Sequence, residues 1–318
     1  MTYLKVMPVA QFHLDRRTIR NILTLGRPRF LLIGISLYIL GSLLALLSGA
    51  GLDPGRLLFG YAILLLGHLS VHYSNDHFDF EADRLNSSSA TSGGSGILAQ
   101  NPELLGFSGW FGLSLAVLSV IGAAVFTVIY SFPALYLAMA ALGNLISWYY
   151  TAPPVRMAYK QWGVLASAFS AGFMMPVIGD FSTAGRITPL FLMFAIPLFL
   201  QAFSFLISVQ IPDMESDRLA HKRTFVAEHG RSMGFLMMLL PLAAATSYYI
   251  AASLLMPAMA ALKLVSIISM IPLGVAAYSF IKRNSGKEKT IELVKYNVIC
   301  FVMFILLLDI YFSIILMG

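Results

Sequence analysis

The chain has 318 residues, 58% of them hydrophobic and only 11% charged, with a mean hydropathy of +0.80. These proportions exclude a water-soluble fold, a disordered chain and a collagen or coiled-coil rod. The single cysteine, Cys300, lies in an apolar run and permits no intrachain disulfide, while the formal charge of +6 is dispersed between apolar runs rather than gathered into a nucleic-acid-binding face.

The chain opens on a polar, basic arm to about Arg29, with no short apolar core or small-residue cleavage site that would mark a removable signal peptide. A helical crossing of the bilayer needs about 20 apolar residues. Nine such spans are predicted, at about 30–50, 57–74, 107–129, 133–151, 163–180, 188–211, 235–255, 260–281 and 296–317. The expected fold is an all-α integral membrane protein forming one domain over 1–318. Spans 2–5 and 6–9 read as two four-helix units that close, with span 1, around a central cavity. Eighteen of the 21 Lys and Arg fall in the N-terminal arm and in 75–106, 152–162, 212–234 and 282–295. The other loops hold little beyond Arg56 and Arg186, and this asymmetry places the N-terminus in the cytoplasm and the C-terminus outside a cell membrane.

Seven of the fifteen acidic residues lie in two short windows, each directly after an apolar span: Asp76, Asp79, Glu81 and Asp83, then Asp213, Glu215 and Asp217. On a helix turning about 100° per residue, Asn75, Asp79 and Asp83 share one stripe with Asp76 close by, and Asp213 and Asp217 share another, with Pro212 placed to open its helical turn. Like charges so arranged repel at the edge of a low-dielectric slab and call for a cation between them. Mg²⁺ suits such open ridges, because it takes one or two carboxylates, substrate phosphates and several waters, whereas Zn²⁺ suits them poorly. A solvated acidic helix end paired to Arg84 or Arg218 is the plainer alternative for one window, and two matched windows argue against it.

The pattern N-D-x-x-D-x-x-x-D at Asn75 to Asp83 and D-x-x-x-D at Asp213 to Asp217, after the second and sixth of nine spans, resembles the UbiA superfamily of intramembrane aromatic prenyltransferases. The resemblance runs from about Gly26 to the last span. It implies that Asn75, Asp76, Asp79, Asp83, Asp213 and Asp217 hold Mg²⁺ and the diphosphate of a polyprenyl substrate, and that the prenyl chain passes to an aromatic acceptor within the lipid bilayer. Breaking the allylic C–O bond leaves a diphosphate and an allylic cation, so held charge and excluded water both lower the barrier.

The segment W-Y-Y-T-A-P-P-V-R-M-A-Y-K is similar in position to the family's Tyr-x-x-x-Lys stretch, but counting from Tyr149 or Tyr150 reaches Pro153 or Pro154. Arg156 or Lys160 is then left to contact diphosphate, and the Tyr150 ring to face the allylic cation. R-L-A-H-K-R-T resembles the family stretch ending in Gly-Lys-Arg-Thr, which makes Lys222 and Arg223 diphosphate candidates. S-G-G-S-G-I-L resembles the matching segment of 1,4-dihydroxy-2-naphthoate polyprenyltransferases, favouring a dihydroxynaphthoate-like acceptor and quinone-type products, with Ser92 to Gly96 as a lid. A glycerol phosphate lipid is the alternative acceptor, and a secondary transporter the alternative class. His68 and His72 continue the acidic stripe as ligands, cavity-lining groups or proton acceptors. Met174, Met175, Phe203 and Phe205 are candidates to line an isoprenoid tunnel. No obligate protein partner is evident.

Overall fold

The structure, a computed structural model, describes residues 15–85, 94–256 and 261–318, and among these there is no strand. Several helix starts follow from a local signal. Asp15 caps α1 (Arg16–Leu25) by accepting the Thr18 N–H at 2.7 Å. Asp53 caps α3 (Pro54–Phe78), and Thr188 caps a later helix that opens on Pro189, both with proline inside the first turn where its missing N–H costs nothing. Between α1 and α3 runs α2 (Pro28–Leu47), and after α3 a one-and-a-half-turn helix, α4 (Phe80–Leu85). A single turn, α5 (Ile97–Gln100), precedes α6 (Leu105–Ile129) and α7 (Ala134–Thr151). Then α8 (Gly163–Phe169) passes through a π-turn at Ser170–Met174 into α9 (Met175–Ala184). The remaining helices are α10 (Pro189–Leu219), the short α11 (Phe225–His229), α12 (Arg231–Leu255), α13 (Ala261–Ile281) and α14 (Lys287–Met317).

Eight segments among the described residues are long and apolar enough to cross a membrane: α2, α3, α6, α8 with α9, α10, α12, α13 and α14. The ninth predicted span, α7, is an 18-residue helix whose Asn144, Ser147 and Thr151 dilute its apolarity. The protein is thus an all-α, multi-pass membrane protein. The predicted grouping appears in the packing. Within the first unit α3 packs on α6 and α7, and within the second α10 packs on α12 and α14 while α13 bridges those two. Span 1, here α2, lies against both α9 and α14, and α8 meets α10, so the units close on each other.

The α2–α9 seam depends on two glycines. A Cβ on Gly41 would run into the Pro176 carbonyl and one on Gly179 into the Tyr38 carbonyl, and the close approach lets Ser42 Oγ donate to both the Tyr38 and Gly179 carbonyls. Small residues bring membrane helices near enough for dispersion to hold them where lipid offers no hydrophobic drive. At the end remote from the acidic windows, Phe126, Tyr136 and Phe181 stack in a fully buried column.

Candidate active site

The first acidic window sits where α3 ends. Asn75 and Asp76 lie on its last turns, and Asp79 terminates it with φ −91° and ψ 0° before α4 resumes at Phe80. The stripe predicted for one helix is therefore realised across a bend. The chain keeps its hydrogen bonds through the bend, Asp79 N–H to the Asn75 carbonyl at 2.9 Å and Asp83 N–H to the Asp79 carbonyl at 2.8 Å, so the acids still follow one another.

Each of these side chains has a distant partner. Asp76, 2% exposed, is paired with Arg27 and accepts from the Ser95 hydroxyl. Asp79 accepts from the Tyr159 hydroxyl and from Lys222 Nζ, both at 2.8 Å. Asn75 Oδ1 accepts from Thr151 Oγ1 at 2.9 Å. Asp83 lies against Gly94, where a Cβ would strike its carboxylate. Burial pushes Asp83 up to about 7, helped by Asp79 and Asp76 and opposed by Lys222.

The second window lies on the last turns of α10. That helix runs unbroken through Pro212, which stands inside it rather than opening a turn as predicted, an arrangement membrane helices tolerate when neighbours satisfy the freed groups. Asp217 accepts from Thr224 Oγ1 at 2.8 Å, and Thr224 also caps α11 through the Ala227 N–H at 3.3 Å. The loop between is thereby fixed with Lys222 reaching across to the first window. Lys222, on the loop that Asp217 holds through Thr224, thus ties the end of α10 to Asp79 of the first window. Burial works against the Lys222 charge, yet Asp79, Tyr159 and Asp83 outweigh it and hold the lysine protonated above its ordinary range. Asp213 is partly buried one turn before Asp217.

The other predicted residues separate into two groups. Tyr150 stands within electrostatic range of Asp79, Asp217 and Lys222. Arg156 stacks on the Tyr159 ring, Cζ to centroid 3.8 Å, at the rim of the cluster. In contrast, Arg223 turns outward to Glu228 at 2.8 Å, and Lys160 lies over Trp162. Met174 and Met175 line a half-open apolar pocket between α3, α7 and the π-turn, with His68, Val71 and Asn144 in its wall. Phe203 and Phe205 are buried in helix packing, the latter stacked on Phe301 at 4.6 Å. His72 packs between His68 and Phe30. Of the predicted lid, Gly94 lies on the Asp83 carboxylate and Ser95 on that of Asp76, while Ser92 and Gly93 fall outside the described residues.

Sequence reasoning missed Arg27, Thr151, Tyr159 and Thr224 as members of the cluster. Arg27 was legible only as one basic anchor among several, and the others are neutral groups whose partners lie up to 80 residues away. Among the described residues no three of His, Cys, Asp and Glu stand close enough to hold a metal ion by themselves.

The UbiA prenyltransferase family profile aligns with residues 35–308, a range that includes both acidic windows. The chain belongs to this family. It is accordingly a prenyltransferase, and the transporter alternative falls away. Solved UbiA-fold structures agree on the architecture. A UbiA homolog from Archaeoglobus fulgidus bound to DMAPP and Mg²⁺ superposes with a TM-score of 0.67 at 18% identity, over 91% of this chain and 99% of that one. Bound to GPP and Mg²⁺, the Archaeoglobus fulgidus homolog gives 0.65 at 17% identity over the same shares. A structure concerned with digeranylgeranylglyceryl phosphate synthase in membranes gives 0.62 at 16% identity, again over 91% and 99%. At these identities the likeness establishes the fold. No curated protein sequence matches this UbiA member significantly.

Proposed function

We propose that the whole chain acts as one Mg²⁺-dependent unit moving a polyprenyl group from an allylic diphosphate to an aromatic acceptor at the cytoplasmic face of the membrane. The observation that carries this reading is the Lys222 ammonium, on the loop directly after the second window, bonded to Asp79 of the first. Asn75, Asp76, Asp79, Asp83, Asp213 and Asp217 supply oxygen donors only, the set that a hard cation prefers. Arg27 and Lys222 stand in as cations on Asp76 and Asp79. When bound, the metal would offset charge developing on the departing diphosphate.

The chain's own part follows from its side chains. Lys222 and Arg156 line the mouth on the side where diphosphate would lie, and Lys222 is already protonated for the purpose. Arg223 and Lys160 would have to leave Glu228 and Trp162 to join them. Tyr150 stands on the last turn of α7 next to Thr151, which bonds Asn75, and its ring is the one assigned to the allylic cation. The cavity below, walled by Ile63, Leu64, Met174 and Met175, excludes water from that cation. The homologs bound to DMAPP and GPP with Mg²⁺ support the donor side of this reading. For the acceptor, the S-G-G-S-G-I-L segment favours a dihydroxynaphthoate-like ring, and the likeness to digeranylgeranylglyceryl phosphate synthase favours a glycerol phosphate lipid.

Purified protein with Mg²⁺, geranylgeranyl diphosphate and a panel of both acceptor types, read by product mass, tests the reaction and separates the acceptors. Asp79→Ala and Asp217→Ala should each lower transfer by roughly a hundredfold or more while leaving an extractable, folded protein. Near-normal turnover in either variant would refute the assignment of both windows.

A further inference from the structure

Tyr159 occupies a more connected position than any residue the sequence pointed to. It ends a single helical turn at Met157–Tyr159 that follows Arg156, whose backbone is left-handed at φ 47°. Its hydroxyl donates to Asp79 Oδ1 at 2.8 Å, its carbonyl accepts the Arg223 N–H at 3.2 Å, and its ring lies 3.8 Å from Arg156 Cζ and 5.1 Å from Lys222 Nζ. One side chain thus touches the first acidic window, the basic loop after the second, and the loop between α7 and α8.

The two oxygens of Asp79 are treated differently. Oδ2 carries the Lys222 ammonium at 2.8 Å, and Oδ1 carries the neutral Tyr159 hydroxyl. A divalent cation competes with an ammonium for a carboxylate oxygen, because both are positive charges seeking the same lone pairs. A hydroxyl donor does not compete in this way. It can stay on its own oxygen while the other is handed over, and such outer partners fix the orientation of a ligating carboxylate.

We propose that Tyr159 is a positioning residue that sets divalent-cation affinity by holding Asp79 Oδ1, so that Asp79 offers Oδ2 alone. The inference rests on the reading of Asp79 as a metal ligand. Its ring would have a second part in the same exchange: were a divalent cation to displace Lys222 from Asp79, the Tyr159 face would keep the ammonium close by.

The test uses the full chain in detergent or nanodiscs with Mn²⁺ as the probe, titrated by electron paramagnetic resonance in the presence of inorganic pyrophosphate. Tyr159→Phe keeps the ring and its cation contacts and removes only the hydroxyl. It should weaken Mn²⁺ binding by about 10- to 100-fold. In turnover assays its half-saturating Mg²⁺ should rise to match, with kcat recovering at high Mg²⁺. Wild-type Mn²⁺ affinity in Tyr159→Phe overturns the proposal, and so does a kcat that high Mg²⁺ fails to restore, since a defect of folding or packing is not cured by metal. Asp79→Ala is the control for the underlying reading: it should lose Mn²⁺ binding, and retention there would overturn the metal assignment itself.

Discussion

Asp76 and Asp79 each lean on a cation brought from far along the chain, Arg27 and Lys222, but Asp83 is placed differently. It lies against Gly94, and burial leads the causes that push it up to about 7, with Asp79 and Asp76 adding to the effect and Lys222 opposing it. A folded-state value above the ordinary carboxylate value of 3.8 means that the folded protein binds this proton more tightly than the unfolded chain does. The associated stability is complete below about pH 4 and is lost as the pH rises toward 7. For metal-free protein in detergent, the thermal midpoint should therefore fall between pH 5 and pH 8 in the wild type, and Asp83→Asn should flatten that slope. Parallel slopes in the two proteins would show that Asp83 does not carry the titration.

Elements were more legible than contacts. All nine predicted spans coincide with helices, because length and apolarity alone decide whether a segment satisfies its backbone inside a bilayer. The bend at Asp79 and the passage of α10 through Pro212 were not legible, since both depend on neighbouring helices rather than on local propensity. The acidic windows could be read from spacing, whereas Tyr159 and Thr151 could not, because an isolated tyrosine or threonine near a helix end has no signal until its partner on α3 is known. Arg223 pairs locally, with Glu228 five residues on, and stands apart from the cluster. At the α2–α9 seam the structure adds a requirement that hydropathy misses. Gly179→Leu inserts a side chain where the Tyr38 carbonyl already lies, and overpacking of this kind costs about 1–3 kcal/mol. Its unfolding midpoint should drop measurably against wild type, while Gly274→Leu, at a position with open space around it, should leave the midpoint close to unchanged.

At the scale of the whole molecule, the same loops that favour one orientation also carry the candidate site. The loops that hold eighteen of the 21 Lys and Arg also hold both acidic windows, and they converge at one end of the bundle through Lys222, Tyr159 and Arg27. Positive loops resist translocation, so this end should face the cytoplasm, where diphosphate substrates and Mg²⁺ are available, and the loops carrying Arg56 and Arg186 should face outward. The orientation can be tested with single cysteines in a Cys300→Ser background, because Cys300 is the one native thiol. Asn284→Cys reports the loop before α14, and Leu52→Cys, whose parent side chain is 64% exposed, reports the loop between α2 and α3. A membrane-impermeant maleimide should label Leu52→Cys in right-side-out vesicles and Asn284→Cys in inverted ones. The reverse pattern would put the acidic windows outside the cell, and the site could then draw on neither the basic-loop asymmetry nor the cytoplasmic substrate pool.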